Sequence, residues 1–585
     1  MLGSPVRSLA VRCKLRHGHY TVSRKWGPLY SPLVGANAIR FYNSDGGLGI
    51  KAKESGWAHE REELVLEVES YLNSLRNYEK IGVPANAGTD SEKGFDLGRM
   101  SRLLSTVGDP LSEYRVVHVA GTKGKGSTVV FISNILRAAG FCVGSYTSPH
   151  ILSLRERIVS GETGQPISAQ AFHQLYRDLR GKIDQAAVAE SGKLTHFEVL
   201  TALAFAQFAR EKVDIAVIEA GLGGARDATN VIPASSLLAA VIVGVGKEHM
   251  EALGGSLESI AHAKAGVIKD GRPVILGRQP ESLGEGILRQ VAASRNAPVL
   301  PEIGHEVVCE QKIIVVDYES HHQYCDICLR HVDTKTSSSK VWGMRDIKLT
   351  ALGVHQMDNA STAVQTSLCL RGEELDIPDE SIRLGLESTR IMGRCQVATP
   401  TEANALGSDG ATVILDGAHT EGSAAALGDT LRRMFSGSCL ALVVAMASDK
   451  DHLAFARALL KGANARIVVT TKVDIAGSMT RTMSASVLAN IFHCAGQELG
   501  IETQYRPRDV EDLRADRQNT VVIDEADSLE SAVNKAVYMV HRLRDGTKGV
   551  VCITGSLHAV SETLPLMSQQ SLLSSSVLQK NSLEW

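Results

Sequence analysis

No apolar run in this 585-residue chain approaches the roughly 18 residues a membrane-crossing helix needs. The longest, residues 236–246 (SLLAAVIVGVG), has the length of a buried strand. No excess of charge exists either: 62 Lys and Arg face 65 Asp and Glu, a net charge of −3. That balance lacks the electrostatic footprint of a nucleic-acid or anionic-membrane binder, so neither partner is expected. Ten cysteines are scattered without the spacing of a disulfide framework, which implies free thiols in a reducing compartment. Acidic residues are missing altogether before Asp45, where Arg7, Arg12, Lys14, Arg16, Arg24, Lys25 and Arg40 alternate with serines. The stretch also lacks the long apolar core of a secretory signal. An Arg-rich, acid-poor leader predicts a transit peptide over residues 1–44, cut near Tyr42, addressed to the mitochondrial matrix or, as the alternative, a plastid.

After a glycine- and charge-rich joint over residues 45–60, apolar spacing predicts a helix over 62–79. Strand signals then alternate with helices: 213–220 (VDIAVIEA), 238–245 and 273–277 are strands, and 195–212 is a helix. Such alternation implies parallel βαβ units and an α/β fold. Residues 301–348 differ, being rich in charge, Ser, His and β-branched residues, and predict a small antiparallel β insertion with mobile loops. A helix returns over 355–372. Four further strand candidates (TVILDGA, CLALVVAM, ARIVVTT, GVVCITG) predict a second, smaller α/β domain over 391–566, after a first domain over 45–390. The polar residues 567–585 read as a tail.

The chemistry starts at HVAGTKGKGSTVVF, residues 118–131, where three glycines and two lysines crowd into six positions between a strand signal and a helix signal. A strand, a glycine loop and a helix N-terminus cradle phosphate through backbone N–H groups. The usual pattern has a glycine five residues before the Gly-Lys pair; here that position is Val119. Lys125 nonetheless lies between Gly124 and Gly126, with Ser127 and Thr128 after it. Glu219 ends one strand signal, His249 follows another in KEHMEALGG, and Ser148 follows CVGSYT. In open α/β sheets ligands bind at the carboxyl ends of strands. A carboxylate, an imidazole and a hydroxyl at three such ends suit magnesium shared with phosphate. Singly, each has an ordinary reading as a turn or loop residue; their joint placement favours the cation site.

The segments HVAGTKGKGST, YTSPHILSLRERI, IEAGLGGARDATN, EHMEALG, AKAGVIK, ILDGAH and ITGSLH occur in that order. Together they resemble the folylpolyglutamate synthase and dihydrofolate synthase family of the Mur ligase superfamily, over about residues 60–565. The resemblance implies a P-loop ATPase domain followed by a Rossmann-like C-terminal domain. It implies that Thr122, Lys123, Gly124, Lys125, Gly126, Ser127 and Thr128 bind ATP, with Asn359, Arg394 and Asp416 completing the nucleotide site. Ser148, Glu219 and His249 match magnesium ligands. Lys264 matches a lysine carbamylated in the family, which supports a second magnesium. His419 lies near the expected transfer centre. Asp96, Leu97, Gly98 and Arg99, then Thr195, His196, Phe197 and Glu198, then Arg226, Asp227 and Ala228, match regions that hold a pterin. The sequence departs from the family's pattern at Glu248, Ala263, Cys395 and Thr420, where Asp, Glu, Phe and Asn are common.

An amide does not form directly from a carboxylate and an amine, because oxide is a poor leaving group. Phosphorylating the carboxylate with ATP removes that barrier, and positioning plus charge neutralisation is what phosphoryl transfer demands. The resemblance favours dihydrofolate synthase, joining L-glutamate to 7,8-dihydropteroate, over a folylpolyglutamate synthase or a bifunctional enzyme. A monomer is expected. A P-loop switch that only hydrolyses nucleotide is the rival class, disfavoured by the glycine spacing and by Glu219 where an aspartate is usual. His321, His322, Cys325, Cys328 and His331 suggest zinc, but structural zinc sites draw two ligand pairs across a longer loop, so a hairpin with buried cysteines is the expectation.

Overall fold

The computed structural model describes residues 57–301, 305–316, 321–332, 339–372, 375–408, 410–475, 478–505, 520–544 and 546–567, all within one compact unit that begins at Trp57. The expected leader, most of the expected joint, the insertion's loops and the tail beyond Met567 lie outside the described residues. Among those described, no helix is long and apolar enough to cross a membrane.

The first sheet contains β1 (Arg115–Ala120), β2 (Val143–Tyr146), β3 (Ile158–Ser160), β4 (Gln165–Pro166), β5 (Ile215–Glu219), β6 (Leu237–Ile242), β7 (Val274–Leu276) and β8 (Val299–Leu300). Their order is β4-β3-β2-β5-β1-β6-β7-β8. All run parallel from β2 to β8; β3 and β4 add an antiparallel edge. The central strands are continuous apolar runs because helices cover both faces. In β1, Val116 and Ala120 join the core on one face and Val117 and Val119 the core on the other. The expected parallel α/β arrangement is therefore present, with its central carboxyl ends side by side.

The insertion is the antiparallel sheet β9 (His305–Val316), β10 (His321–Val332) and β11 (Ser339–Leu349). It is an extension of the core: Cys325, Ile327, Ile347 and Leu349 pack with Phe131 and Ile135 of the helix Lys125–Ala138. Burial on that face accounts for Ile327 and Ile347. Among the described residues, no three of His, Cys, Asp and Glu gather as a metal group.

The second sheet holds β12 (Gln396–Val397), β13 (Ala411–Leu415), β14 (Cys439–Val444), β15 (Ile467–Thr470), β16 (Glu502–Tyr505), β17 (Thr520–Glu525) and β18 (Gly549–Thr554). The order is β12-β13-β18-β14-β15-β17-β16, parallel apart from β12. The four expected strands are β13, β14, β15 and β18. The structure adds three, β12, β16 and β17.

One helix expectation needs correction. Periodicity predicts a single helix over 62–79, but Trp57–Ser74 stops and a short helix, Tyr78–Ile81, follows. Asn77 forces the break: its side chain accepts from the Glu79 N–H at 3.0 Å, a helix start within the apparent helix.

Candidate active site

The loop between β1 and the helix Lys125–Ala138 is built by glycine. Gly124 caps the helix with φ of 88°, a conformation that favours glycine, and a Cβ there would collide with the Asn359 amide. At Gly126 a Cβ would lie 3.2 Å from the Glu219 carboxylate. The loop is pinned to the strand beside it. Thr122 N–H donates to Gly244 O at 2.9 Å, and its hydroxyl accepts from Gly246 N–H at 2.9 Å. The helix's first N–H groups thus lie at the carboxyl edge of the sheet behind a pinned loop, an arrangement suited to phosphate. Ser127 and Thr128 are buried in the first turn.

Glu219 ends β5 with its side chain 4 % exposed. One carboxylate oxygen lies 3.7 Å from Lys125 Nζ, and the other accepts from Ser148 N–H at 3.0 Å. Burial raises the Glu219 pKa, and the charge of Lys125, the Ser148 N–H and the charges of Arg394 and Arg157 oppose that rise only in part. A buried carboxylate so incompletely matched suits a cation. His249, with φ of 51°, sits in the loop after β6. Burial lowers its pKa and keeps the imidazole neutral, the form that ligates metal; Glu248 pulls the other way, and Lys125 and Lys264 add to the lowering. The donor set of Glu219, Ser148 and His249 therefore fits magnesium, with phosphate and water supplying further oxygens.

Lys264 is 3 % exposed, and its ammonium donates to Gly121 O at 2.7 Å, under the phosphate loop. Burial first, then the charge of Lys125, push its pKa down to about 7. An uncharged amine is thus accessible near neutral pH, which carbamylation requires.

The C-terminal domain supplies the opposite wall. Asp416, just beyond β13, accepts from Cys395 N–H and Ala418 N–H, both at 2.8 Å. Arg394 approaches Gly417, and its charge is felt at Glu219 and at His419. His419 Nδ1–H donates to Gly417 O at 2.8 Å, which leaves Nε2 as the acceptor while burial keeps the ring neutral. Asn359, from the helix Val354–Gly372, reaches Gly124 and Thr128. The structure so gathers Thr122, Lys125, Ser148, Glu219, Lys264 and Asn359 on one side, with Arg394, Asp416 and His419 opposite. His355, on the same helix as Asn359, feels Asp416, Arg394 and Lys123; nothing in its sequence surroundings marked it.

The expected pterin residues are structurally engaged. Asp96 caps the helix Leu97–Val107 by accepting from Gly98 N–H at 2.9 Å. Arg99, from that helix, clamps Glu198 through two nitrogens, both at 2.8 Å. Thr195 and Glu198 form the capping box of the helix His196–Arg210. Phe197 packs on Gly221 and lies 6.1 Å, centre to centre, from the Tyr146 ring. Asp227 is buried and accepts from Leu222 and Thr229 N–H, while Arg226 pairs with Asp90 and Ala228 opens a short helix. Sequence reasoning missed Arg157, 2 % exposed, which holds Glu79 with two bonds of 2.7 Å and donates to His150 Nδ1 at 3.0 Å. His150 and Arg157 lie within the segment YTSPHILSLRERI, but a buried arginine has no signature in a single sequence.

Comparison with known proteins agrees with this construction. Residues 119–366 match the family model described as Mur ligase middle domain, and residues 401–566 the one described as dihydrofolate synthetase, C-terminal domain. The Bacillus subtilis (strain 168) protein named dihydrofolate synthase/folylpolyglutamate synthase is 34% identical over 363 residues, 61% of this chain and 76% of its own length. The folylpolyglutamate synthase of Lacticaseibacillus casei is 29% identical over 366 residues, 62% of this chain and 78% of its own. Among solved structures, Mycobacterium tuberculosis folylpolyglutamate synthase complexed with ADP superposes with a TM-score of 0.67 at 27% identity, covering 87% of this chain and 99% of that one. The chain belongs to the folylpolyglutamate synthase/dihydrofolate synthase family of Mur ligases.

Proposed function

We propose that this chain is a dihydrofolate synthase, an ATP-dependent ligase that joins L-glutamate to 7,8-dihydropteroate and releases ADP and phosphate. The observation that carries the reading is the pairing of two walls. A phosphate loop with the under-neutralised Glu219 faces Arg394, Asp416 and His419 from the C-terminal domain. The match of residues 401–566 to a dihydrofolate synthetase domain supports this acceptor. The relatives named folylpolyglutamate synthase support the alternative, extension of a reduced folate by γ-linked glutamate, and a bifunctional enzyme would do both.

In this reading the phosphate loop and Lys125 orient the ATP phosphates, while Asn359, Arg394 and Asp416 hold the nucleotide. Glu219, Ser148 and His249 would hold magnesium, and carbamylated Lys264 would support a second ion. Magnesium, when bound, offsets phosphate charge. The acceptor's carboxylate attacks the γ-phosphorus and ADP departs. Glutamate's amine then attacks the acyl carbon, phosphate leaves, and the amine's proton passes to a base. His419 suits that role, since its Nδ1–H is committed to Gly417 O and its Nε2 is the open lone pair. Closure of the two walls excludes water from the acyl phosphate.

The test supplies purified protein with ATP, magnesium, glutamate and either dihydropteroate or tetrahydrofolate monoglutamate, and weighs the amide formed. Turnover with dihydropteroate is expected. Turnover with the folate alone reverses the choice of acceptor, and amide formation with neither overturns the ligase reading.

A further inference from the structure

The phosphate loop carries two lysines, and they do different things. Lys125 lies 3.7 Å from Glu219 and donates to Thr122 O at 3.3 Å. Lys123 Nζ instead lies 2.8 Å from the Glu248 carboxylate and donates to the Thr420 hydroxyl. Its partners come from separate elements. Glu248 belongs to the loop after β6, in the N-terminal domain. Thr420 is the N-cap of the helix Glu421–Met434, in the C-terminal domain. Approach is close here, since a Cβ on Gly422 would be 3.8 Å from Lys123 Nζ. Burial is the main cause of the lowered pKa of His419 and of His355, and the Lys123 charge adds to the lowering at both.

We propose that Lys123 is a positioning residue, a latch by which the phosphate loop fixes the C-terminal domain in its closed position. The latch itself stands on these contacts; its effect on turnover rests on the ligase reading above. Lys123 is 45 % exposed, and an exposed ion pair contributes little stability. What the contact sets is geometry. Thr420 follows His419 directly, so a loop that holds the helix cap also fixes where His419 stands over the phosphates. Without the latch the closed state is less populated and water enters. Water then replaces the amine as nucleophile: its oxygen bonds to the acyl carbon, the acyl–oxygen bond to phosphate breaks, and the acid and inorganic phosphate are returned. ATP is spent without an amide.

The experiment uses the full chain with Lys123→Met, Thr420→Val, the double variant, and Lys123→Arg and Thr420→Ser as conservative controls. Glutamate-dependent kcat/KM should fall about tenfold in each disruptive single variant, the scale of a lost hydrogen bond to a charged group. ADP released per amide should rise well above one. The double variant should be no worse than the worse single, and the conservative variants should recover coupling. Small-angle X-ray scattering without substrates should show the same increase in radius of gyration for both singles and the double. One ADP per amide in Lys123→Met, multiplicative losses in the double, or unchanged scattering would each overturn the latch. If wild type forms no amide with either acceptor, the ligase reading fails, and the scattering arm alone decides the latch.

Discussion

Glu219 and Glu198 are both buried carboxylates of the N-terminal domain, 4 % and 5 % exposed, yet their surroundings differ. Glu198 receives two nitrogens of Arg99, the Thr195 N–H and the Thr195 hydroxyl, all within about 3 Å. Glu219 has one N–H and a lysine at 3.7 Å, and burial raises its pKa. A carboxylate whose lone pairs are all used locks two helices together. One left under-matched at the carboxyl edge of a parallel sheet is held ready for something absent from the polypeptide. The contrast separates scaffold from site without reference to any relative.

The largest way to break the contrast is to remove the under-matched charge. Glu219→Ala and Lys125→Ala should each lower amide formation by about 10³-fold or more, the scale of losing a preorganised electrostatic group at a phosphoryl-transfer centre. Circular dichroism should show the fold intact, and near-wild-type turnover in either variant would remove both from the proposed site. The next effect belongs to the scaffold. Arg99→Leu leaves Glu198 buried with only its capping partners, and breaking such a pair costs about 3 kcal/mol. A fall in melting temperature of several degrees is expected, and no fall would mean the clamp is not structural.

What could be read from the sequence follows the same division. The phosphate loop was legible because several glycines and lysines between a strand and a helix serve few other purposes. Glu219 and Ser148 were legible by position, since each ends a strand signal. The helix starting at Thr195 was legible because its capping residues precede an apolar run. Arg157 was not: an arginine reads as solvated until the fold buries it, here with the half-exposed Glu79 as its partner. The edge strand β16 (ETQY) escaped notice because it is half exposed and has little apolar content, whereas β17 (TVVIDE) lies inside the sheet and offers only the short buried run Val521 to Ile523 as a signal. The latch partners Glu248 and Thr420 appeared only as departures from a pattern, and it took the fold to bring both to Lys123.

The smallest effect sharpens the comparison through pH. Because Glu219's folded pKa is raised, the folded protein keeps this proton at pH values where the unfolded chain has lost it. The sign follows from linkage: the folded state binds more protons, so stability falls as pH rises from the ordinary carboxylate range through the raised folded value. Glu219→Gln removes that contribution. In metal-free protein the variant should therefore lose less stability than wild type as pH rises above the ordinary carboxylate range. Urea melts across that range measure the difference. Magnesium with a non-hydrolysable ATP analogue should reverse it, stabilising wild type and leaving the variant unmoved. A wild-type protein whose stability rises over the same pH range relative to Glu219→Gln would place Glu219 with Glu198, as scaffold.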